Sequence, residues 1–347
     1  VRIHNLETVD GFIAFDLDDC AVSAGGTRFA PDVTEAEAAL LARAMTYKFG
    51  AIGRDVGGAK GAVRGSAPEK DDVMKRYCEE IRPLVRAATF LTGPDLGTSE
   101  SDFGPIRSPD APPSVMAGTI GSDPIEDLVT GFGVVVAAEA AIGSLEGLTF
   151  AIEGFGKVGG GVAREVVRRG GKVVAVSTID GCVHDSSGLD VELLLSLRRE
   201  RGDRVVSAIG GEYNADPAAL FDVDAEVLVP GARTGVITRA VAERLRMRWI
   251  VPAANVPYAS DAIDVMRGRR VRYLADFVCN AGATIGYSSN AKDAGDLFRR
   301  VEDKIAALTS EAGAYPQGPF EGACAIAERF ITSWRGADGL PPGPPLA

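Results

Sequence analysis

The spacing of apolar positions changes character partway along the chain. In the first part, Gly11-Phe-Ile-Ala-Phe-Asp-Leu-Asp-Asp19 alternates partially and is rich in aromatic residues, which predicts a strand, and Gly25-Gly26 then marks a turn. Thr34-Glu-Ala-Glu37 is a capping-box pattern opening an Ala- and Leu-rich helix that ends at about Lys48. Val73, Tyr77, Ile81 and Val85 recur at four-residue spacing and predict a second helix, with a kink expected at Pro83. Phe103 to Pro124 is rich in Pro, Ser and Gly and reads as loop; a helix from about Glu126 to Ile142 follows and is expected to connect two domains. From Leu148 onward, short apolar runs alternate with helical segments. Leu148–Ile152, Lys172–Ser177, Ala225–Val229, Trp249–Ala253 and Val271–Ala275 read as buried parallel strands, the texture of a doubly wound α/β domain. Residues 339–347, Gly-Leu-Pro-Pro-Gly-Pro-Pro-Leu-Ala, are expected to form a disordered tail.

Composition narrows the function classes. At roughly 100–200 residues per domain, 347 residues favour two domains, and 46% hydrophobic with 24% charged residues is ordinary globular usage. The balance of 37 basic against 48 acidic residues, net −11, argues against nucleic acid or anionic membrane as a partner, since both need a basic face. The longest apolar stretch, Phe132 to Gly143, is broken by Glu139 and is too short to span a bilayer; Val1 to Phe12 lack the tripartite order of a secretory signal. Five scattered cysteines (Cys20, Cys78, Cys182, Cys279 and Cys324) make no disulfide framework and suit a reducing cytoplasm. With only His4 and His184, and no Cys-x-x-Cys, no metal site is expected, and chemistry falls to Lys, Asp or a cofactor.

Gly154-Phe155-Gly156-Lys157-Val158-Gly159 directly follows the strand expected to end at Ile152 and opens a helix. In that setting the glycines permit a tight turn and close approach of a pyrophosphate to free N–H groups at a helix N-terminus, which points to NAD or NADP. A dinucleotide-binding unit is expected to carry Asp or Glu at the end of its second strand, to hold the ribose hydroxyls. Here Ser177 and Thr178 occupy that place; Asp180 lies two residues late and substitutes only if the loop folds back. Losing the acid removes repulsion toward a 2′-phosphate, yet no Arg or Lys follows immediately to bind one, so NAD and NADP both stay open.

Three upstream segments carry reactive side chains: Ala44-Met-Thr-Tyr-Lys48, Val56-Gly-Gly-Ala-Lys60-Gly61 and Thr92-Gly-Pro-Asp95-Leu-Gly-Thr98. The glycine-lined lysine is no phosphate-binding loop, because Ala59 precedes Lys60 and Gly61 follows it, so the Gly-Lys-Ser/Thr ending is missing. Glycines around a lysine can expose backbone to a small substrate and let the ammonium be desolvated, which lowers its pKa toward general-base range. Taken singly, a lysine near a helix end is commonly a solvated dipole partner, and an aspartate after proline is a common turn former. The case for chemistry rests on their company.

These segments resemble the amino acid dehydrogenases of the glutamate, leucine, phenylalanine and valine dehydrogenase family. The matching pieces are Gly25-Gly-Thr-Arg28, Met45-Thr-Tyr-Lys48, Gly57-Gly-Ala-Lys-Gly61, Pro94-Asp-Leu-Gly-Thr98, Thr130-Gly-Phe-Gly133 and Gly154-Phe-Gly-Lys-Val-Gly159, then Pro230-Gly-Ala232, Pro252-Ala-Ala-Asn255 and Asp276-Phe-Val-Cys-Asn-Ala-Gly282. The resemblance implies a substrate domain over residues 1–130, a Rossmann domain over 131–285 and C-terminal helices over 286–338 packing back on the first domain, with reaction in the cleft. It implies that Lys48 binds the α-carboxylate, that Lys60 activates water for attack on an imine carbon, and that Asp95 exchanges protons with the substrate amine. Thr130, Ala232, Asn255 and Asn280 are expected to contact the nicotinamide or its ribose, with Asn280 near the substrate as well. The implied reaction is reversible, hydride-transferring deamination of an L-amino acid to a 2-oxo acid and ammonia, by a homo-oligomer as in other family members.

Glutamate-specific relatives carry a lysine just before the Gly-Gly-x-Arg segment. Ala24 stands there instead, ahead of Gly25 and Gly26, and a buried side-chain carboxylate without a cation is costly. Thr284 and Tyr287 are candidates to line the side-chain pocket, so an aliphatic or aromatic amino acid is expected, and the chain length resembles the leucine and phenylalanine branch. The alternatives are a homologue of altered reaction, such as an imine reductase or a biosynthetic coupling enzyme, or a dinucleotide-binding sensor without turnover.

Overall fold

A computed structural model of the protein describes residues 1–107, 114–121 and 123–347. The chain divides into two compact units, Val1–Pro113 with Cys324–Pro345, and Ser114–Ala323 with Leu346–Ala347.

The first unit contains β1 (Arg2–Asn5), β2 (Gly11–Phe15), β3 (Ser23–Ala24), β4 (Thr27–Phe29), α1 (Glu35–Ile52), β5 (Gly57–Val63), α2 (Lys70–Arg86) and β6 (Phe90–Leu91). Its sheet runs β1-β2-β5-β3-β6, with β4 also pairing β5; β1, β2 and β5 are antiparallel neighbours, and β3, β4 and β6 join in parallel. Side chains alternate between the two faces of a strand. Phe12, Ala14 and Ala62 therefore pack with Ala38 and Ala42 of α1, whereas Ile13, Phe15, Ala59 and Val63 pack with Met74, Tyr77 and Ile81 of α2. Because both faces are covered, the strand expected from Gly11 reads as continuous apolar sequence; it stops at Phe15, short of Asp19.

Helix α1 runs four residues past Lys48, to Ile52. It is closed by Gly53 at φ +77°, whose N–H reaches the Gly50 and Phe49 carbonyls. Lys48 is thus a buried residue within the last turns of the helix, not its solvated end. At the other end, the Thr34 hydroxyl accepts from the Glu37 N–H as the capping pattern predicts, but the Glu37 carboxylate is turned to Arg28. Helix α2 continues through Pro83 to Arg86.

The second unit begins with the hairpin β7 (Thr119–Ile120) and β8 (Asp123–Pro124) and with α3 (Ile125–Ile142). Of the loop expected over Phe103–Pro124, residues 108–113 and 122 lie outside the described residues. The parallel strands β9 (Thr149–Glu153), β10 (Lys172–Thr178), β13 (Val227–Pro230), β14 (Trp249–Ile250) and β15 (Arg272–Tyr273) form the body of a sheet. Two antiparallel strands, β11 (Gly181–His184) and β12 (Glu212–Asn214), extend one side, giving the order β12-β11-β10-β9-β13-β14-β15. These two were not predicted: Gly181 to His184 is too short to stand out from the hairpin turn before it. Between and after the strands lie α4 (Lys157–Arg168), α5 (Val191–Arg201), α6 (Val205–Ala208), α7 (Arg239–Arg244), α8 (Ile263–Gly268), α9 (Asp276–Cys279), α10 (Gly282–Tyr287), α11 (Ala294–Gly313) and α12 (Pro319–Arg335). From β9 the chain moves to β10 on one side and later to β13 on the other. The carboxyl ends of β9 and β13 therefore flank a topological switch point, where open α/β sheets bind ligands.

Helix α3, expected to connect domains, lies wholly within the second unit. The reason is its composition: it is apolar nearly all round, and a helix of that kind is buried. Phe132 packs edge-on to Phe298 of α11 at 4.9 Å, and Arg169 joins Glu139, Glu165 and Glu302 from three helical segments. From Cys324 onward α12 belongs to the first unit, where the Tyr47 hydroxyl donates to Glu328 at 2.7 Å. The last residues are not a disordered tail. Pro341 and Pro345 are buried, the Arg43 guanidinium donates to the Gly343 carbonyl, and Ala347 exchanges backbone hydrogen bonds with Tyr258 (2.9 Å) and Ser260 (2.8 Å). Proline-rich sequence can be ordered where neighbouring backbone supplies partners.

At the centre of the first unit, a Cβ on Gly58 would sit 2.0 Å from the Ala42 carbonyl oxygen and 2.4 Å from the Thr46 nitrogen. Helix α1 rides directly on β5 there, and the Gly58 N–H donates to the Thr46 hydroxyl at 3.0 Å. Gly58→Ala is expected to destabilise the protein by at least about 2 kcal/mol, read as a lower urea midpoint at unchanged slope. An unchanged midpoint would show that the helix does not pack that closely.

Candidate active site

The expected site residues fall into two groups, one in each unit. In the first unit Lys60 stands in the middle of β5, opposite Ala14 of β2, and its side chain is 4% exposed. The glycines around it serve packing rather than exposure of backbone to a ligand. Gly58 admits α1, and a Cβ on Gly61 would meet the Thr27 and Tyr77 hydroxyls at 2.3 and 2.5 Å. What the glycines achieve for the lysine is burial.

Asp95 is carried by the turn after Pro94, and this turn is sewn to β4. Gly97, at φ +78°, lets the backbone pass against the Phe29 carbonyl, the Phe29 N–H donates to Leu96 O, and the Thr98 hydroxyl donates to Thr27 O at 2.8 Å while accepting from the Asp95 N–H. The result is a fixed carboxylate. Its Oδ2 lies 2.9 Å from Lys60 Nζ and 3.0 Å from Arg28 Nε, and Arg28 is braced in turn by Glu37 at 2.6 Å. Both ion pairs are made to the same oxygen, Oδ2. Gly25 and Gly26 hold the neighbouring backbone close: a Cβ on Gly25 would be 1.6 Å from the Ala59 carbonyl oxygen, and one on Gly26 would be 3.0 Å from Asp95 Cβ. Ala24 ends β3 beside Gly58.

The electrostatics follow from this packing. Burial lowers the Lys60 pKa from its ordinary 10.5; Asp95 opposes that shift and Arg28 adds to it. Burial alone would raise Asp95, but the Lys60 ammonium and the Arg28 guanidinium outweigh it and hold the carboxyl at about 2. Lys48, on α1, is buried in the same unit. Arg28 appears in the Gly25-Gly-Thr-Arg28 segment without an assigned role, and Glu37 reads in sequence only as half of a helix cap; their partnership becomes visible only in the fold.

In the second unit, β9 delivers Gly154 at φ +86°. Its N–H donates to Ser177 O at 3.0 Å, and its missing side chain leaves room for Ala232. Gly159 lets α4 close on the Gly154 carbonyl, since a Cβ there would be 2.1 Å from that oxygen. Gly156, the residue before α4, has nothing within 4 Å of a would-be Cβ, and no side chain caps the helix. Lys157 opens α4, exposed and paired with Asp127 at 3.3 Å, and Phe155 and Val158 complete the turn. Glu153, buried at the end of β9, accepts the Gly231 and Ala232 N–H groups on one oxygen at 3.0 and 2.8 Å, and so ties the two loops of the switch point together. It is a further residue that the sequence reading passed over, although it immediately precedes Gly154.

Asn280 is buried, and its Nδ2 donates to Ala253 O, Ala254 O and Asn255 Oδ1, whereas its own Oδ1 is buried without a partner. Gly282 lies against Val129 O and the Thr130 Cα, so Thr130, Asn255 and Asn280 share one region. An open glycine at an uncapped helix start and an orphaned amide oxygen beyond it are what a dinucleotide would fill. Ser177 and Thr178 end β10, and Asp180 stands in the two-residue turn to β11, its N–H on the Thr178 hydroxyl and its carbonyl on Tyr213. Thr284 and Tyr287 lie on α10; Thr284 is half-buried, and Tyr287, 48% exposed, is not a core residue. Among the described residues no group of three His, Cys, Asp or Glu side chains stands where it could hold a metal, and no helix is long and apolar enough to cross a membrane.

Both units match family models: residues 2–108 the Glu/Leu/Phe/Val dehydrogenase dimerisation domain, and residues 121–294 the glutamate/leucine/phenylalanine/valine dehydrogenase domain. The chain is 33% identical over 282 residues to glutamate dehydrogenase A2 of Halobacterium salinarum, covering 75% of this chain and 67% of that one. A hetero-hexameric glutamate dehydrogenase from Thermus thermophilus, solved in a Leu-bound form, superposes with a TM-score of 0.78 at 24% identity, over 92% of this chain and 83% of that one. L-tryptophan dehydrogenase from Nostoc punctiforme superposes at 0.63 and 20% identity, over 96% of each chain. The chain belongs to the Glu/Leu/Phe/Val dehydrogenase family. It is an oxidoreductase acting on the CH–NH2 group, with NAD or NADP as hydride carrier.

The Asp95 shift has a sign that can be tested. With a folded pKa of about 2 against 3.8 ordinarily, the carboxylate contributes stability that is present above pH 3.8 and is lost as pH falls toward 2, amounting to about 2 kcal/mol. Asp95→Asn is expected to lower the unfolding free energy at pH 7 by at least that amount, and its deficit relative to wild type should shrink below pH 4. A deficit that stays constant across this range would remove the ion-pair account.

Proposed function

We propose that the protein catalyses reversible oxidative deamination of an aliphatic or aromatic L-amino acid, and the observation that carries this reading is the buried Lys60–Asp95–Arg28 cluster. In the balanced reaction the amino acid, oxidised dinucleotide and water give the 2-oxo acid, ammonium, reduced dinucleotide and a proton. A dinucleotide held at the Gly154 turn would supply the hydride chemistry. The remaining steps belong to side chains.

Lys48 holds the α-carboxylate as a point charge. Asp95 receives the substrate amine on Oδ1, because Oδ2 is already committed to Lys60 and Arg28. A cationic amine arriving there adds a second positive charge beside Lys60 and lowers the proton affinity of Lys60 further. In its neutral form Lys60 takes a proton from the water that attacks the imine carbon, and the ammonium so formed stabilises the tetrahedral intermediate. Gly154–Gly159 would seat the pyrophosphate, Thr130, Ala232, Asn255 and Asn280 the nicotinamide end, and Ser177 and Thr178 the adenosine ribose.

The side-chain preference follows from Ala24. With no ammonium at that position a glutamate side chain would be desolvated unpaired, and Thr284 and Tyr287 suit a less polar group. Self-association into a homo-oligomer through the first unit is part of the same reading, since that unit matches the family's dimerisation domain. A cytoplasmic setting suits five cysteines that form no disulfide.

Aliphatic or aromatic L-amino acids are expected to reduce NAD or NADP, followed by nicotinamide absorbance, with kcat/KM at least about 100-fold above that for glutamate. Lys60→Ala should bind dinucleotide normally and lose turnover by about 1,000-fold or more. In the wild type kcat/KM should rise with pH through an ionisation below 10.5, as the lysine must be neutral to act. Dinucleotide binding without reduction by any amino acid would replace the enzyme with a sensor; near-normal turnover of the lysine variant would remove Lys60 from its role.

A further inference from the structure

Beyond β10 the chain forms β11 and then α5, and α5 brings a cation to a place that the local sequence leaves without one. Arg198 Nε donates to the Phe155 carbonyl, inside the glycine-rich turn, at 2.6 Å. Its Nη2 lies 3.6 Å from Asp203 Oδ1, and the Asp203 carbonyl accepts the Thr178 hydroxyl at 2.5 Å. A continuous set of contacts thus runs from the glycine-rich turn through Arg198 and Asp203 to the end of the second parallel strand. In a dinucleotide-binding βαβ unit these two segments bracket the adenosine ribose, and its 2′ position meets the strand end.

We propose that Arg198 is the 2′-phosphate anchor and that the protein prefers NADP(H) to NAD(H); the inference rests on the dinucleotide-binding role of the Gly154 turn. Four features carry it. The strand end supplies hydroxyls, Ser177 and Thr178, where an acid would repel a phosphate. The Arg198 side chain is 34% exposed, so the guanidinium is oriented by Phe155 yet still open to solvent. Among the described residues its Nη1 meets no acceptor, which leaves an edge of the fork for a phosphate oxygen. Finally, residues 198–204 carry Arg198, Arg199, Arg201 and Arg204 against Glu200 and Asp203, a locally positive segment in a chain of net charge −11.

Asp203 is the acid that faces Arg198, and the opposite preference would follow if its carboxylate accepted the ribose 2′-hydroxyl. At 3.6 Å from Arg198 it is instead partly neutralised by the group that would hold the phosphate. Asp180 offers no better acceptor, because it stands in the hairpin turn that leads away into β11.

The test is binding, independent of turnover: calorimetric titration of the intact protein with 2′,5′-ADP and with 5′-ADP, supported by NADP+ and NAD+. Wild type is expected to bind the 2′-phosphorylated probe at least about 10-fold more tightly, as a charge-assisted pair implies. Arg198→Gln should bring the two probes within about threefold of each other while leaving 5′-ADP affinity nearly unchanged, and Arg198→Lys should keep part of the preference. Tighter binding of 5′-ADP and NAD+ by wild type, with that advantage lost in Asp203→Asn, would overturn the proposal in favour of the ribose-hydroxyl reading. Equal weakening of both probes by Arg198→Gln would reduce the residue to a brace for the Phe155 carbonyl. If neither adenine nucleotide binds, the dinucleotide role of the Gly154 turn itself falls, and this inference falls with it.

Discussion

An ammonium buried in the middle of a sheet is the constraint on which the first unit is organised. Desolvating Lys60 is expensive unless an anion compensates, and a single anion without further support would itself be poorly held. The fold answers with an ordered series: Lys60 on Asp95, Asp95 on Arg28, Arg28 on Glu37. Each member comes from a different segment, namely β5, the Pro94 turn, β4 and α1. The charge therefore specifies the register of four pieces of chain at once. The Pro94 turn cannot slide without breaking two ion pairs, and α1 cannot rotate without releasing Glu37.

The glycines are the steric counterpart of this charge network. A lysine in the centre of a strand is hidden only if the layers on either side come close, and Gly58 and Gly61 bring α1 and the Thr27 and Tyr77 hydroxyls onto β5. In the second unit a related economy operates with different chemistry. Gly154 and Gly159 bring backbone to backbone at the switch point, and a buried carboxylate, Glu153, fastens the two facing loops. Both units fix loops with backbone-directed hydrogen bonds, Thr98 in one and Glu153 in the other, and so hold the facing groups in position before any ligand arrives.

Much of this was legible before the fold was known, because its elements are encoded locally. The five parallel strands announce themselves as apolar runs, and the glycine-rich turn is recognisable from its strand-before, helix-after setting. Lys60 and Asp95 stand out by their glycine and proline neighbours. What escaped was information carried by partners distant in sequence. Glu37 satisfies a cap pattern, so its use by Arg28 is invisible without the β4 contact. Arg198 lies 20 residues beyond Thr178, across a hairpin and most of a helix, and nothing in its own surroundings points back to Phe155. The short strands β11 and β12 and the ordered C-terminal residues were missed for a related reason: pairing with neighbours, not propensity, gives them their structure.

The two ends of the sheet in the second unit have a colloidal consequence. An exposed, long, flat apolar edge is a template on which another chain can add a strand. One edge here is β12, three exposed residues carrying Glu212 and Asn214; the other is β15, two residues long, with the Arg272 guanidinium over the Trp249 ring. Neither end offers enough unpaired backbone to seed edge-to-edge growth, so in a solution crowded with copies of this chain the parallel core is shielded from cross-β polymerisation.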